Sequence, residues 1–148
     1  IVMPIPYNLR VSDEVRIYEK LIKQSELRDV HVAPHALHAA AMVSILSRLK
    51  ESTKQGMDLV KKMKLYDGED VDDFKPKDVE ELKREGMTGI DPRYVINRIS
   101  SALVTRDKNC IGPLDVLRAL RNGLHQHPSF TDEDRERIMN FIAIARQE

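Results

Sequence analysis

The sequence is poor in several features that define large classes of proteins. Its 148 residues include a single cysteine, Cys110, which excludes a disulfide framework within the chain and is typical of a reducing cytosol. The 24 basic residues balance the 24 acidic ones, so there is no net basic field to attract nucleic acid or acidic membranes. No apolar run approaches the roughly 20 residues that a membrane-spanning helix needs. The composition therefore predicts a cytoplasmic protein that binds neither nucleic acid nor a membrane.

Motifs of the common catalytic sites are also absent. The chain contains neither the phosphate-binding loop G-x-x-x-x-G-K-[ST] nor the dinucleotide fingerprint G-x-G-x-x-G. The H-R-D, D-F-G and V-A-I-K motifs of protein kinases and the G-x-S-x-G motif of hydrolases are missing as well. We therefore predict that this chain by itself has no catalytic residues, no cofactor and no enzymatic activity.

What the sequence does contain is helical periodicity. Apolar residues recur every three to four positions in segments that begin near Ser12, Pro34, Met57, Pro76, Pro92, Pro113 and Thr131. This pattern predicts an all-α bundle of about seven helices. Residues 39–43 are apolar nearly all round their helix, so we expect them at the buried centre. Residues 1–5 are apolar and partly β-branched, which predicts the end of a strand that enters from a longer protein.

The same periodicity assigns particular side chains to particular roles. Ser12 is the expected N-cap of the first helix, because acidic residues and then an apolar stripe follow it. Leu114 falls on the expected inner stripe of the helix that begins at Pro113. On the outer face of the last helix, Glu133 and Arg137 have the spacing of an i,i+4 ion pair.

The histidines are candidate metal ligands, and the chain has five of them, His31, His35, His38, His125 and His127. The first three would align on one continuous helix, but Pro34 separates the first from that helix, which favours packing or capping. The last two stand at i and i+2 and point to different faces. The acidic stretch 67–75 departs from the calcium-loop pattern and is better explained as an exposed loop. We therefore predict no metal site.

Two other kinds of residue could carry chemistry. The basic residues of the third helix are Lys61, Lys62 and Lys64. Phosphate contact is one interpretation of them, but an outward, solvated face explains them equally well, and the adjacent acidic loop would cancel their field. Cys110 has no C-x-x-C partner and no activating neighbour in sequence, so we do not predict a reactive thiol.

The sharpest feature of the sequence is Arg93. Gly86 and Gly89 precede an amphipathic helix that Asp91 caps and Pro92 opens, which places Arg93 in its first turn. A helix N-terminus carries partial positive charge and favours acids, so a cation there is unusual. An external anion would stabilise it, with the first-turn amides as further donors. The alternative is that Arg93 pairs with an acid such as Asp91 or points to solvent.

This segment carries a resemblance to known families. It resembles the sensor-2 element of AAA+ ATPases of the MoxR and chelatase kind, in the residues Gly89-Ile90-Asp91-Pro92-Arg93-Tyr94. In that element, a helix of the small lid domain carries an arginine to the γ-phosphate of the nucleotide. Nearly the whole chain is similar to the PrkA family of bacterial serine protein kinases. Three pairs of segments carry this resemblance: Pro6 to Val11 with Glu14 to Tyr18, Val32 to His35 with Met63 to Gly68, and Gly86 to Ala102 with Pro113 to Leu120. The family has serine where this chain has Asp91, and either residue caps a helix.

The resemblance implies a domain organisation and a role. Residues 1–11 would end the AAA+ core and include a hinge at Tyr7 to Val11, and residues 12–148 would form an AAA+ lid-like domain and the segment after it. The full-length protein would be an ATP-dependent serine protein kinase that uses ATP and Mg, with its phosphate loop upstream. Arg93 would be the sensor that couples the state of the nucleotide to movement of the lid.

The resemblance also implies partners. These are the upstream AAA+ core of the same protein and a protein substrate. AAA+ relatives form hexamers, and whether the full-length protein forms a homo-oligomer is left open, as is whether ATP drives phosphorylation, remodelling or proteolysis. The alternative function is a helical protein-interaction module of a remodelling or proteolytic machine, in which Arg93 makes no contact with nucleotide.

Overall fold

The computed structural model describes residues 7–49, 58–71, 74–75, 89–106, 110–123 and 132–147. The α-helices within these ranges are α1 Val11–Lys23, α2 Pro34–Arg48, α3 Leu59–Tyr66, α4 Pro92–Arg106, α5 Pro113–Gly123 and α6 Asp132–Gln147. A short 3₁₀ helix, Glu26–Asp29, follows α1, and two short strands are β1 His31–Val32 and β2 Cys110–Ile111. The predicted all-α bundle is confirmed, with six helices in the described ranges. The helix predicted from Pro76 and the strand predicted at residues 1–5 lie outside them.

Helix α2 forms the centre of the bundle. Pro34 occupies its first position, where the missing N–H removes no helical hydrogen bond. Every residue from Ala39 to Leu46 is buried, and α2 packs against α1, α3, α5 and α6. A helix that is apolar on all sides is stable only when it is covered on all sides. The prediction that residues 39–43 lie at the centre is therefore confirmed.

The outer helices each turn one apolar face toward α2 or its neighbours. Among the α6 side chains whose burial is described, the buried ones are the four predicted ones, Ile138, Phe141, Ile142 and Ala145. Helix α4 packs against α1 and α5. Its buried residues include Val95, Ile96 and Ile99. In the described part of the chain, no helix is both long enough and apolar enough to cross a bilayer.

The two short strands connect segments that are distant in sequence, the one before α2 and the one before α5. β1 and β2 pair in parallel, and the N–H of Ala33 adds a 2.8 Å hydrogen bond to the carbonyl of Ile111. After each strand, a single residue separates it from the proline that starts the next helix, which is Pro34 for α2 and Pro113 for α5. The pairing thus brings the starts of α2 and α5 side by side. The sequence did not predict it, because two residues are too few to show a period.

The prediction for Ser12 is wrong. Helix α1 begins at Val11 with Arg10 at the N-cap position. Ser12 lies inside the first turn, and both its N–H and its hydroxyl donate to Oδ1 of Asp67, at 3.0 and 2.7 Å. The hydroxyl therefore ties α1 to the end of α3 instead of capping its own helix.

Two predictions of exposure are wrong, since Lys62 was expected to be exposed and Leu114 to be buried. Lys62 is fully buried, and Lys61 and Lys64 are half-buried, so α3 is covered over more of its circumference than one apolar stripe implies. Leu114 is 48% exposed, whereas Leu117, one turn further along α5, is buried. Leu114 is the second residue of α5, and the buried residues of this helix begin at Val116.

The predicted pair of Glu133 and Arg137 is not formed. Arg137 instead donates a 2.9 Å hydrogen bond to the carbonyl of Leu49, and its guanidinium lies 5.2 Å from the centroid of the Phe141 ring. The carbonyl of Leu49 follows the last turn of α2, where helical partners run out. Arg137 therefore fixes α6 to the end of the central helix.

Candidate functional site

Arg93 lies in the first turn of α4, and its side chain is exposed. Its backbone N–H donates a 2.8 Å hydrogen bond to Oδ1 of Asp91, whose carbonyl accepts from the N–H of Val95. Asp91 is thus the N-cap of α4, as predicted. Among the described residues, no side chain forms a hydrogen bond or ion pair with the Arg93 guanidinium, and the carboxylate of Asp91 binds the backbone instead.

The backbone that leads into α4 lies directly on the end of α2. Gly89 has φ +131°, a conformation that side chains with a Cβ rarely adopt. A Cβ there would lie 2.6 Å from Cγ of Arg48 and 3.1 Å from Oγ of Ser47. The N–H of the buried Ile90 donates to the same Ser47 oxygen at 3.0 Å. Glycine is therefore required for residues 89–91, hereafter the 89–91 loop, to approach α2 this closely.

A buried arginine of α2, Arg48, binds the 89–91 loop through hydrogen bonds. Its Nε and Nη2 donate to the carbonyl of Ile90 at 3.2 and 2.7 Å. Its Nη1 and Nη2 also donate to Oε2 and Oε1 of Glu14, at 2.8 and 2.7 Å. Both charged side chains are 0% exposed. The paired geometry is the one in which a guanidinium and a carboxylate match best, and it offsets the cost of removing both charges from water.

The same guanidinium holds the residues that enter the bundle before α1, hereafter the entry segment (residues 7–10). Nη1 of Arg48 donates to the carbonyl of Asn8 at 2.9 Å, and its guanidinium carbon lies 4.9 Å from the centroid of the Tyr7 ring. The side-chain amide of Asn8 in turn donates to Oε2 of Glu14 at 3.2 Å. Arg48 thus makes five hydrogen bonds, as many as a guanidinium has N–H donors.

The entry segment has a second attachment, on α3. Nε of Arg10 donates to the carbonyl of Tyr66 at 3.1 Å, next to the Asp67 carboxylate that binds Ser12. Together with the bonds from Arg48, this contact holds most of the stretch that we predicted as a hinge, Tyr7 to Val11, against α2 and α3.

A buried hydroxyl pair lies one turn along α1 from Glu14. The hydroxyls of Tyr18 and Ser44 are 2.7 Å apart and form a hydrogen bond between α1 and α2. Burial raises the pKa of Tyr18 well above its ordinary value, and the charge of Glu14 raises it further, while the Ser44 bond and Arg48 offset part of the rise. Tyr18 therefore stays protonated and adds a neutral contact beside the ion pair.

Our reasoning from the sequence missed both Glu14 and Arg48. The signal that could have found them is the position of Glu14 between Val11 and Tyr18, at spacings of three and four, within the apolar stripe of α1. A carboxylate in that position faces the core and must have a buried partner. The identity of the partner needed the fold, because Arg48 lies on another helix.

The remaining candidates that the structure describes do not gather into a site. His31, His35 and His38 are all exposed, and His125 and His127 lie outside the described residues. Within the described ranges, no three side chains among His, Cys, Asp and Glu are placed to hold a metal ion. A cleft of about 140 Å³ between α1, α2 and α3 is lined by residues such as Met42 and Met63. It is well below the roughly 300–1,000 Å³ of most small-molecule pockets.

Comparison with known proteins defines the class of this chain. Residues 1–56 match the family model described as the PrkA AAA domain, and residues 60–148 match the model described as the PrkA serine protein kinase C-terminal domain. The fold is therefore a helical part of an AAA-type protein. The chain belongs to the PrkA family.

Individual relatives are similar along nearly the whole chain. It is 60% identical over 152 aligned residues to the "ATP-dependent protease PrkA" of Bacillus subtilis (strain 168), covering 100% of this chain and 24% of that protein. It is 33% identical over 150 aligned residues to the "Serine/threonine kinase YeaG" of Escherichia coli (strain K12), covering 95% of this chain and 23% of that protein. The chain thus spans about a quarter of the length of these relatives. No solved structure matches it.

Proposed function

We propose that this chain is the helical lid, with the segment that follows it, of a PrkA-type ATP-dependent protein, and that Arg93 senses the nucleotide bound to the AAA core. On this proposal residues 1–11 end the core, and residues 12–148 form the lid and the following segment. The chain lacks a phosphate loop, so its part is coupling and no catalytic residue is assigned to it.

The observation that supports the proposal is the contrast between the backbone and the side chain of Arg93. Its backbone is held by the Asp91 cap and by the bonds that fasten Ile90 to α2. Its guanidinium is exposed and has no bonding partner among the described residues. A cation on such a rigid support is already positioned when an anion arrives, so less freedom is lost on binding.

Phosphate is the anion that this arrangement fits. A guanidinium presents paired N–H donors that match phosphate oxygens, and the exposed Arg93 supplies them next to the start of α4. ATP bound to the core supplies a γ-phosphate that is present before hydrolysis and gone after it. Arg93 would bind that anion in one state only, and a coupling of about 1–3 kcal/mol is enough to shift a two-state lid.

The activity of the whole protein is a separate matter. One relative carries the name of a protease and another that of a kinase. For the full-length protein we propose a cytoplasmic, ATP- and Mg-dependent enzyme of the serine protein kinase type that acts on a protein substrate. Remodelling or proteolysis is the alternative use of ATP, and the part proposed for Arg93 is the same in each case.

The test compares ATP hydrolysis and ATP affinity of the full-length protein with those of its Arg93→Ala variant. We expect hydrolysis to fall by tenfold or more, which corresponds to about 1.4 kcal/mol, with helix content unchanged by circular dichroism. The matched control is Arg121→Ala, which removes another exposed arginine, on α5. If Arg93→Ala behaves like this control, Arg93 is no sensor and the chain is better explained as a protein-interaction module.

A further inference from the structure

We infer that Arg48, paired with Glu14, is a positioning residue that joins the entry segment and the 89–91 loop into one mechanical unit. This inference rests on the proposed function of Arg93 in one respect, namely that the signal carried through the unit starts at that residue. A contact made by Arg93 is then transmitted through Arg48 to Asn8, and from there along the chain toward the core.

The first argument is the set of groups that meet at Arg48. Its guanidinium binds the main-chain carbonyls of Asn8 and Ile90 at the same time, at 2.9 and 2.7 Å. Asn8 belongs to the entry segment, and Ile90 lies three residues before Arg93. The two segments are far apart in sequence and are bound by a single side chain.

The second argument is that stability alone does not explain a buried ion pair here. Replacing such a pair by apolar residues of similar volume is often neutral or stabilising. Helices α1 and α2 already contain buried apolar residues that stabilise the bundle, among them Ile22 and Ile45. An apolar residue at position 48 could fill the space, but it could not bind two backbone carbonyls in fixed directions.

The third argument is that the arrangement resists partial movement. All the guanidinium donors of Arg48 are used, and the side chain is 0% exposed. If Ile90 shifted without Asn8, a buried N–H would lose its acceptor with no water to replace it. The two segments therefore move together, and Tyr7 and Asn8 move with the lid instead of serving as its pivot.

The experiment is amide hydrogen exchange on the full-length protein, with and without a non-hydrolysable ATP analogue, in the wild type and in Arg48→Lys. Lysine keeps the positive charge beside Glu14 but has no planar fork to bind both carbonyls. Without nucleotide, we expect exchange in residues 7–14 and in residues 89–95 to rise together, by about tenfold, through local opening. Exchange in residues 138–145 of α6 should not change.

With the analogue bound, we expect wild-type protein to gain protection in both segments. In Arg48→Lys the gain should remain in residues 89–95 and disappear from residues 7–14, because Arg93 is intact but its connection is broken. The control is Arg121→Lys, which makes the same substitution at an exposed arginine of α5, outside both segments, and should leave both as in the wild type. If both segments still respond in Arg48→Lys, or if only one opens without nucleotide, the inference is wrong.

Two other outcomes of this experiment have defined consequences. If residues 89–95 of the wild type do not respond to the analogue, the proposed function of Arg93 fails, and the nucleotide-free comparison still decides whether Arg48 joins the segments. If Arg48→Lys does not fold, Ser47→Ala takes its place, because it removes the hydroxyl that binds the N–H of Ile90 and otherwise donates within α2, to the carbonyl of Ser44. Loosening the loop in this way should also raise exchange in residues 7–14, and an unchanged rate there overturns the inference.

Discussion

The two halves of the bundle share one layout but join their helices differently. In the first half α1, β1 and α2 follow one another, and in the second half α4, β2 and α5 do, with a proline at the start of the later helix each time. Arg48 joins the first pair through directed bonds to Glu14 and two carbonyls. In the second pair, α4 and α5, the side chain of Arg98 packs onto Gly123. A Cβ at position 123 would lie 2.9 Å from Cδ of Arg98. The first joint is built on directed hydrogen bonds, and the second includes a close steric contact.

The largest expected effect comes from breaking the first joint. Arg48→Met leaves the Glu14 carboxylate buried without its cation, which should lower the free energy of unfolding by about 3–5 kcal/mol. Urea denaturation of the 148-residue chain measures it. The double variant Arg48→Met with Glu14→Leu removes both charges and should recover most of the loss. A double variant as unstable as the single one would show that the carbonyl contacts, and not the ion pair, hold the first half together.

An intermediate effect is expected at Tyr18, beside the first joint. Its pKa is raised above its ordinary value of about 10, so above that pH the unfolded chain loses this proton while the folded chain keeps it. The contribution of Tyr18 to the free energy of unfolding is therefore fully present below about pH 10. It falls as the pH rises further, by up to about 1.4 kcal/mol per pH unit.

Tyr18→Phe tests that assignment by denaturation at several pH values. At neutral pH it should cost about 0.5–1.5 kcal/mol, for the bond to Ser44, and above pH 10 the decline should be shallower than in the wild type. Tyr94→Phe, in the second half, is the comparison. Burial also raises the pKa of Tyr94, but Arg98 partly offsets the rise, so this variant should alter the alkaline decline less. Equal changes in the two variants would contradict the difference between the halves.

A small effect, comparable to that of Tyr18→Phe at neutral pH, is expected from crowding the second joint. In Gly123→Ala the new methyl group meets Arg98, and overpacking of this kind costs about 1–3 kcal/mol. Alanine regains about 0.8–1.0 kcal/mol of helix propensity over glycine, so the net loss should be near 1 kcal/mol. Thermal unfolding measures it, and combining the change with Arg98→Ala should remove the crowding. A Gly123→Ala protein more stable than the wild type would mean that Arg98 moves aside without cost.

Local patterns in the sequence predicted much of this fold. Pro34 and the apolar run behind it predicted the central helix, and the stripe that includes Ile138 and Phe141 predicted the buried face of α6. The order of Asp91 and Pro92 predicted the cap and the start of α4, and with them the position of Arg93. Each of these depends on neighbours within one or two turns, which is the range over which sequence spacing is informative.

What sequence spacing could not predict are contacts between distant segments. Arg48 stands in the last turn of a helix, where an arginine is also favoured by the helix dipole, so nothing in the sequence singled it out. Lys62 is fully buried, although the spacing within its own helix predicted an outward side chain. Arg137 has Glu133 at helical spacing but bonds instead to Leu49, which lies 88 residues earlier in the sequence. For Arg137, a tertiary partner competes with a local one and prevails.

The buried position of α2 has a consequence for how the family is divided. This helix falls within residues 1–56, which match the AAA domain, while α5 and α6, which pack against it, fall within residues 60–148, which match the C-terminal domain. The line between the two family models therefore crosses a single hydrophobic core. Separating the protein there would divide one cooperative folding unit between two pieces, and each piece would expose the surface that the other had covered.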